Sequence, residues 1–217
     1  IKSDKVQFGT VAGSAAFQNA SKLYIISNAT SFDGAQVMDT GMSVATIGYM
    51  RVGLSTNTAD ITVSGTNSVA GNIDITGGAI AIGGNQSTTN SGNITITATG
   101  AYSGAGALNA AGNVVINALS ASPTGAITSN GTLGIAVTAS GGSISIGGNL
   151  NASTSTTAPI TLKASANLSV TASKSITTAG GNAILWSRYL AAAGASTVGS
   201  ITLGNTSSIT TTGGRIV

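Results

Sequence analysis

Few groups in this chain are able to do chemistry. The only carboxylates are Asp4, Asp33, Asp39, Asp60 and Asp74, and His, Cys and Glu are absent. Without imidazole or thiol, the usual proton shuttles, most zinc sites and thiol nucleophiles are missing. Glycan-cleaving β-helices rely on acidic groups beside a groove. Asp60 and Asp74 are the one pair spaced to fall on successive turns of a coiled chain, and isolated aspartates of that kind are ordinarily solvated. Gly77-Gly78 and Gly83-Gly84 lack the aspartate in register that calcium-binding nonapeptides need. Gly141-Gly142 and Gly180-Gly181 open no helix that would cradle a phosphate. Thr95-Ile96-Thr97 and Thr97-Ala98-Thr99 do not recur at the interval of a flat threonine array for ice. The sequence therefore assigns no catalytic, metal or cofactor-binding residue, and the chain reads as a non-enzyme.

What remains is a local cluster of Trp186, Arg188 and Tyr189. If Ala183 and Leu185 point inward on a strand, Ile184, Trp186 and Arg188 share the outer face. They would then form an apolar, cationic spot suited to a sugar ring or a protein surface. A slip of one residue would bury Trp186 instead. Both readings stand at the level of sequence, with Trp186, Arg188 and Tyr189 as the expected contact patch if the first holds.

The elements that must carry this cluster are announced by a phrase that returns eight times: a glycine or turn residue, a small or polar residue, then an aliphatic–x–aliphatic pair. It is clearest at Gly71-Asn72-Ile73-Asp74-Ile75, Gly92-Asn93-Ile94-Thr95-Ile96, Gly112-Asn113-Val114-Val115-Ile116 and Gly142-Ser143-Ile144-Ser145-Ile146. Looser forms are Pro159–Leu162, Gly181–Leu185, Gly199–Leu203 and Gly214–Val217. A turn signal followed by a period-two strand, repeated at roughly 20 residues, marks a chain that coils and stacks on itself. Further short strands are expected at residues 79–82, 133–137, 168–171 and 175–178. The reading is all-β, a parallel β-solenoid of about eight rungs over residues 61–217, with Ile73/Ile75, Ile94/Ile96, Val114/Ile116 and Ile144/Ile146 in one interior column. Glycine and asparagine at the corners are expected to accept a left-handed backbone.

Residues 1–60 lack the phrase and hold all three Phe, all three Met and four of the five Asp. They read as an irregular β-rich cap or docking region, with strands at 5–8, 23–26 and 46–52, turns at Ser27-Asn28 and Asp33-Gly34, and a short helix near 12–20.

Composition agrees with stacking. Only 6% of residues are charged, against about 25% in an ordinary soluble domain. Like residues recur above one another in such a stack, where ladders of Ser and Thr are tolerated and ladders of one charge repel. The net charge of +3 comes from eight scattered cations, with no basic cluster of the kind a phosphate backbone requires; nucleic acid is not expected as a partner. No apolar run reaches the roughly 18 residues of a membrane-spanning helix, so membrane insertion of this segment is not expected. The start at Ile1 and the strand-like finish at Ile216-Val217 suggest a segment of something longer.

The repeat phrase, with Ala179-Gly180-Gly181-Asn182-Ala183-Ile184-Leu185-Trp186-Ser187 and the closing Gly199–Leu203 and Thr212–Val217, resembles the filamentous-haemagglutinin-type exoproteins of Gram-negative bacteria. The resemblance covers residues 61–217 and implies a right-handed parallel β-helix, secreted or held at the bacterial surface through a two-partner or autotransporter-like route. It implies no catalytic residues. The functional expectation is an extracellular structural or adhesive segment, a stiff spacer or adhesin that meets a cell-surface glycan or protein receptor. The alternatives are a subunit of a filament in which copies stack end to end, and a glycan-acting β-helix enzyme.

Overall fold

The computed structural model describes residues 49–217, apart from 54, 56, 57, 59, 64, 153–156, 158 and 191–198, together with the backbone of Leu23–Ile25 and Ser31–Phe32. The strand expected at 5–8, the helix near 12–20 and the turns at Ser27-Asn28 and Asp33-Gly34 lie outside the described residues.

All described regular structure is strand, arranged as three parallel sheets. Sheet 1 stacks β1 (Leu23–Ile25), β3 (Tyr49–Val52), β6 (Asn72–Gly77), β9 (Ile94–Ala98), β12 (Val114–Ala118), β15 (Leu133–Val137), β18 (Ile160–Lys163) and β21 (Ala183–Trp186). Sheet 2 stacks β2 (Ser31–Phe32), β4 (Asp60–Val63), β7 (Ile80–Ile82), β10 (Ala101–Gly104), β13 (Ser120–Pro123), β16 (Ile144–Ile146), β19 (Leu168–Val170) and β22 (Ile201–Leu203). Sheet 3 holds β5 (Asn67–Val69), β8 (Gln86–Thr88), β11 (Leu108–Ala110), β14 (Ile127–Ser129), β17 (Leu150–Ala152), β20 (Ser175–Thr178) and β23 (Ser208–Thr211). The chain visits the sheets in turn, so each coil is a triangle and each strand pairs with its counterpart one coil on. Over residues 61–217 the result is a β-solenoid of about 6 turns.

That is fewer than the eight rungs expected, and the reason is local. Five of the eight phrases open strands of sheet 1 and Gly214–Val217 bridges to it at Ala183, but Gly142–Ile146 and Gly199–Leu203 open strands of sheet 2. Ile144 and Ile146 therefore stand above Ala121 and below Leu168 and Val170, not in the column of Ile73. Conversely, β15 belongs to the sheet 1 series without an asparagine to announce it. The coil also lengthens along the chain, from 19 residues between Asn113 and Thr132 to 33 between Asn182 and Arg215.

The interior follows from period-two patterning. In sheet 1, Met50, Ile73, Ile94, Val114, Leu133, Ile160 and Ala183 stack in register, as do Val52, Ile75, Ile96, Ile116, Ile135, Leu162 and Leu185. All are buried, and each large aliphatic side chain contributes roughly 1.5–3 kcal/mol on burial. Sheet 3 begins its inner column with polar groups that hydrogen-bond to one another and to nearby carbonyls, leaving the Asn67 Oδ1 without a partner among the described residues. The Asn67 side-chain amide donates to Gln86 Oε1 at 2.9 Å, and Gln86 Nε2 donates to the carbonyls of Gly65 and Gly84. At the end of sheet 3 strands, the hydroxyls of Thr88, Ser129, Thr178 and Thr211 turn back to the carbonyls of Gly92, Gly131, Gly181 and Gly214.

The corners bear out the expected left-handed backbone only in part: among the described asparagines it occurs at Asn90, with a φ of 47°. Among the described glycines, a positive φ occurs only at Gly53, Gly104, Gly141 and Gly213. The columnar corner glycines are required for another reason. A Cβ on Gly106, Gly125 or Gly148 would land on the carbonyl oxygen of the glycine one coil below: Gly84, Gly106 and Gly125 respectively. Glycine lets one coil settle onto the next. Asparagine acts between coils as well: Asn72 Oδ1 accepts from the backbone N–H of Asn93 at 2.8 Å, Asn93 from Asn113 at 2.7 Å, and Asn113 from Thr132 at 2.7 Å. Asn85, Asn167 and Asn182 make the same bond at their own corners. The Gly-Asn of the phrase is thus a stacking device, one residue for clearance and one for hydrogen bonding.

Candidate functional site

The three outer faces differ in chemistry. Along sheet 3 the central outward row reads Ser68, Ser87, Asn109, Thr128, Asn151, Thr177, Thr210. Sheet 2 carries Thr62, Ala81, Ser103 and Ser122, then Ser145, Ser169 and Thr202. Both rows are short and uncharged. Sheet 1 instead presents Arg51, Asp74, Thr95, Val115, Gly134, Thr161 and Ile184 in one row, and Thr76, Thr97, Asn117, Ala136, Lys163 and Trp186 in the next. Charge, an indole and one missing side chain therefore collect on a single face.

The missing side chain makes a depression. Gly134 occupies an outward position, and a Cβ placed there would meet nothing within 4 Å. With Ala136 beside it, the centre of β15 is low between Val115 and Asn117 on β12 and Thr161 and Lys163 on β18. The trough has a volume of about 280 Å³, with Thr132 and Pro159 among the residues that line it. It is about 10 Å wide between the two flanking strands, from the spacing of parallel neighbours.

Beside Lys163 the cluster singled out in the sequence takes shape. Ala183 and Leu185 face inward, so Trp186 faces outward and is 50% exposed. The first of the two sequence readings therefore describes its orientation. Trp186 lies beside Lys163 in register. Its ring meets Tyr189 edge to face, with centroids 5.1 Å apart, and the Lys163 ammonium sits 4.7 Å from the centre of the Tyr189 ring. The bend that brings Tyr189 back is fixed by its N–H donating to the Ala164 carbonyl at 2.9 Å, while Ala164 N–H donates to the Trp186 carbonyl. Arg188 is exposed in that turn with a left-handed φ of 60°. Lys163 thus joins the trough to the aromatic pair.

Sequence reasoning missed Gly134, Asn117 and Lys163. The available signal was Gly134 itself, a glycine inside a strand pattern at an outward position. Asp60 and Asp74 are not brought together. Asp60 is on sheet 2, accepting from the Ala79 N–H at 2.7 Å, and Asp74 is on sheet 1, accepting from the Tyr49 hydroxyl at 2.6 Å. Among the described residues no group of three or more potential metal-ligating side chains occurs.

No protein-family model, no curated protein and no solved structure matches this chain. The resemblance to filamentous-haemagglutinin-type exoproteins rests on the repeat phrase, and the class that the fold defines is the parallel β-solenoid.

Proposed function

We propose that this chain is a stiff, non-enzymatic segment of a large extracellular or surface-held bacterial protein. In this reading it serves as spacer and adhesin and presents the sheet 1 face to a cell-surface glycan or protein. One observation carries it: three parallel sheets enclose a largely aliphatic interior, the central outward rows of two faces bear short uncharged side chains, and the third face gathers an exposed Trp, a lysine and a trough. Each coil contacts only its neighbours, so the stack resists bending while its outer residues vary without cost to the core. The filamentous-haemagglutinin-type resemblance supports the extracellular placement.

The test is to measure the shape of the purified chain by small-angle scattering, and the adhesion of beads coated with it to glycan-bearing and glycan-stripped cells. An elongated particle and bead attachment are expected. A compact particle, or release of reducing ends from a polysaccharide, contradicts the proposal.

A second reading, a subunit of a filament stacked end to end, is favoured by the last coil. Ile201 and Leu203 are 46% and 45% exposed, although their register partners Leu168 and Val170 are buried. Covering them takes a further coil, from a continuation of the chain or from a second copy, and in the second case docking between unlike ends generates open filaments. Electron microscopy separates filaments from monodisperse short rods.

A further inference from the structure

We propose that the trough over Gly134 is a saccharide site, and that Lys163, Tyr189 and Trp186 make it selective for acidic sugars. The inference rests on the adhesive reading and names the ligand class and the residues.

Three features point the same way. First, the depression is built into the sheet. Every other described residue in the outward row of Gly134 between Arg51 and Ile184 has a side chain, so an object entering at Gly134 finds walls on both sides. Second, the lining mixes hydrogen-bonding and apolar groups: Asn117, Thr132 and Thr161 against Val115, Ala136 and Pro159. That combination suits a pyranose ring, which has hydroxyls at its rim and C–H groups on its faces; a purely apolar partner would strand the amide and hydroxyls.

Third, the charge is one-sided. Lys163 lines the trough and has its ammonium against the Tyr189 ring, not against a carboxylate. Among the described residues the only side-chain carboxylates are Asp60 on another sheet and Asp74. Asp74 is four strands away from Thr161 in the same row, about 19 Å at the usual strand spacing. A cation held in place by an aromatic face, with no acidic side chain nearby, complements a carboxylate or sulfate on a ligand. Trp186, half exposed beside it, offers an indole face on which a second ring can stack. A nucleic acid would need several spaced cations along its backbone, and the row on either side of Lys163 supplies Ala136 and Trp186.

Titration calorimetry of the whole chain with short hyaluronan fragments, and with neutral cellulose fragments of matching length, tests the proposal. The expected result is binding of hyaluronan at least tenfold tighter than of cellulose, with the difference shrinking as salt rises. Gly134→Leu puts a side chain into the trough from a position where the added Cβ meets nothing within 4 Å; it should keep the circular dichroism spectrum and weaken hyaluronan at least tenfold. Lys163→Gln should bring the two ligands to equal affinity. Full affinity in Gly134→Leu, equal binding of both saccharides by the parent chain, or binding of neither overturns the site. Loss of the saccharide site with retained bead adhesion would place adhesion elsewhere on the rod. Saccharide binding without bead adhesion would instead count against the adhesive function.

Discussion

Truncating two adjacent residues of β12 should have very different consequences. Ile116 is fully buried and stacked between Ile96 and Ile135, whereas its neighbour Val115 is 36% exposed on the outer face. Ile116→Ala removes packed carbons from the middle of a column whose neighbours above and below are fixed by sheet hydrogen bonds, so the site collapses poorly. A cost of about 3 kcal/mol is expected, within the roughly 2–5 kcal/mol typical of Ile-to-Ala changes in cores. For a chain of this length that corresponds to a fall in Tm of about 6–12 °C. Val115→Ala removes partly solvated carbons from the outer face and should cost no more than about 0.5 kcal/mol. Urea unfolding followed by circular dichroism gives both values, and hydrogen exchange localises the Ile116→Ala effect to β9, β12 and β15. Because strand faces alternate, a register wrong by one residue exchanges the two roles. A larger loss from Val115→Ala than from Ile116→Ala would refute the assignment of faces.

The Tyr102 hydroxyl is buried without a hydrogen-bond partner among the described residues, so Tyr102→Phe should stabilise the chain by about 1 kcal/mol, read as a rise in the urea midpoint; a fall would contradict that. Burial also raises the Tyr102 pKa above its ordinary value, so the unfolded chain gives up this proton first. The Tyr102 contribution is intact below about pH 10 and is lost as pH climbs beyond it, and Tyr102→Phe should be the less alkali-sensitive protein in pH-jump unfolding. Gly125→Ala pushes a methyl onto the Gly106 carbonyl oxygen and should cost more than about 2 kcal/mol, whereas Gly134→Ala, with open space outside, should gain about 0.5–1 kcal/mol; equal thermal shifts would show that the corner columns are not close-packed. Asn113→Ala removes the acceptor for Thr132 N–H and Oγ1 and should cost about 1 kcal/mol at this solvated corner, with faster exchange of the Thr132 amide; unchanged exchange would contradict the ladder.

Much of the fold was legible because the phrase encodes it. Ile73-x-Ile75, Ile94-x-Ile96 and Val114-x-Ile116 alternate cleanly, and the strands expected at 79–82, 133–137, 168–171 and 175–178 match β7, β15, β19 and β20. The count of coils was not legible. Gly142–Ile146 carries the same local instruction as Gly112–Ile116, a turn followed by an alternating strand, and nothing local says which side of the triangle it will occupy. Most strands of sheet 3 escaped notice because at least one inward residue of each is polar or small, namely Asn67, Gln86, Thr88, Ser129, Ala110 and Ala152, leaving at most one large aliphatic (Val69, Leu108, Ile127 or Leu150) per strand. The polar and small residues are buried by hydrogen bonds or by snug fit, not by an apolar pattern.

The site divides the same way. The alternation around Ala183 and Leu185 allowed an outward Trp186, since inward and outward follow from one parity. The link from Trp186 through Tyr189 and Lys163 to Gly134 runs across three strands whose residues lie far apart in the chain. Cross-strand neighbours depend on the register between coils, and that register is set by coil lengths that vary from 19 to 33 residues. Local sequence does not contain it.

The register between coils is open to direct test because the chain has no cysteine of its own. Thr95 and Val115 are register partners on the outer face of neighbouring coils, about 4.8 Å apart and within the span a disulfide closes. Asp74 and Val115, in the same row but two coils apart, are about 10 Å apart and beyond it. Mild oxidation of the Thr95→Cys/Val115→Cys chain should consume both thiols in the monomer, and the Asp74→Cys/Val115→Cys chain should keep its thiols free. Closure of the second pair with the first left reduced would show that the coils do not lie on one another as described.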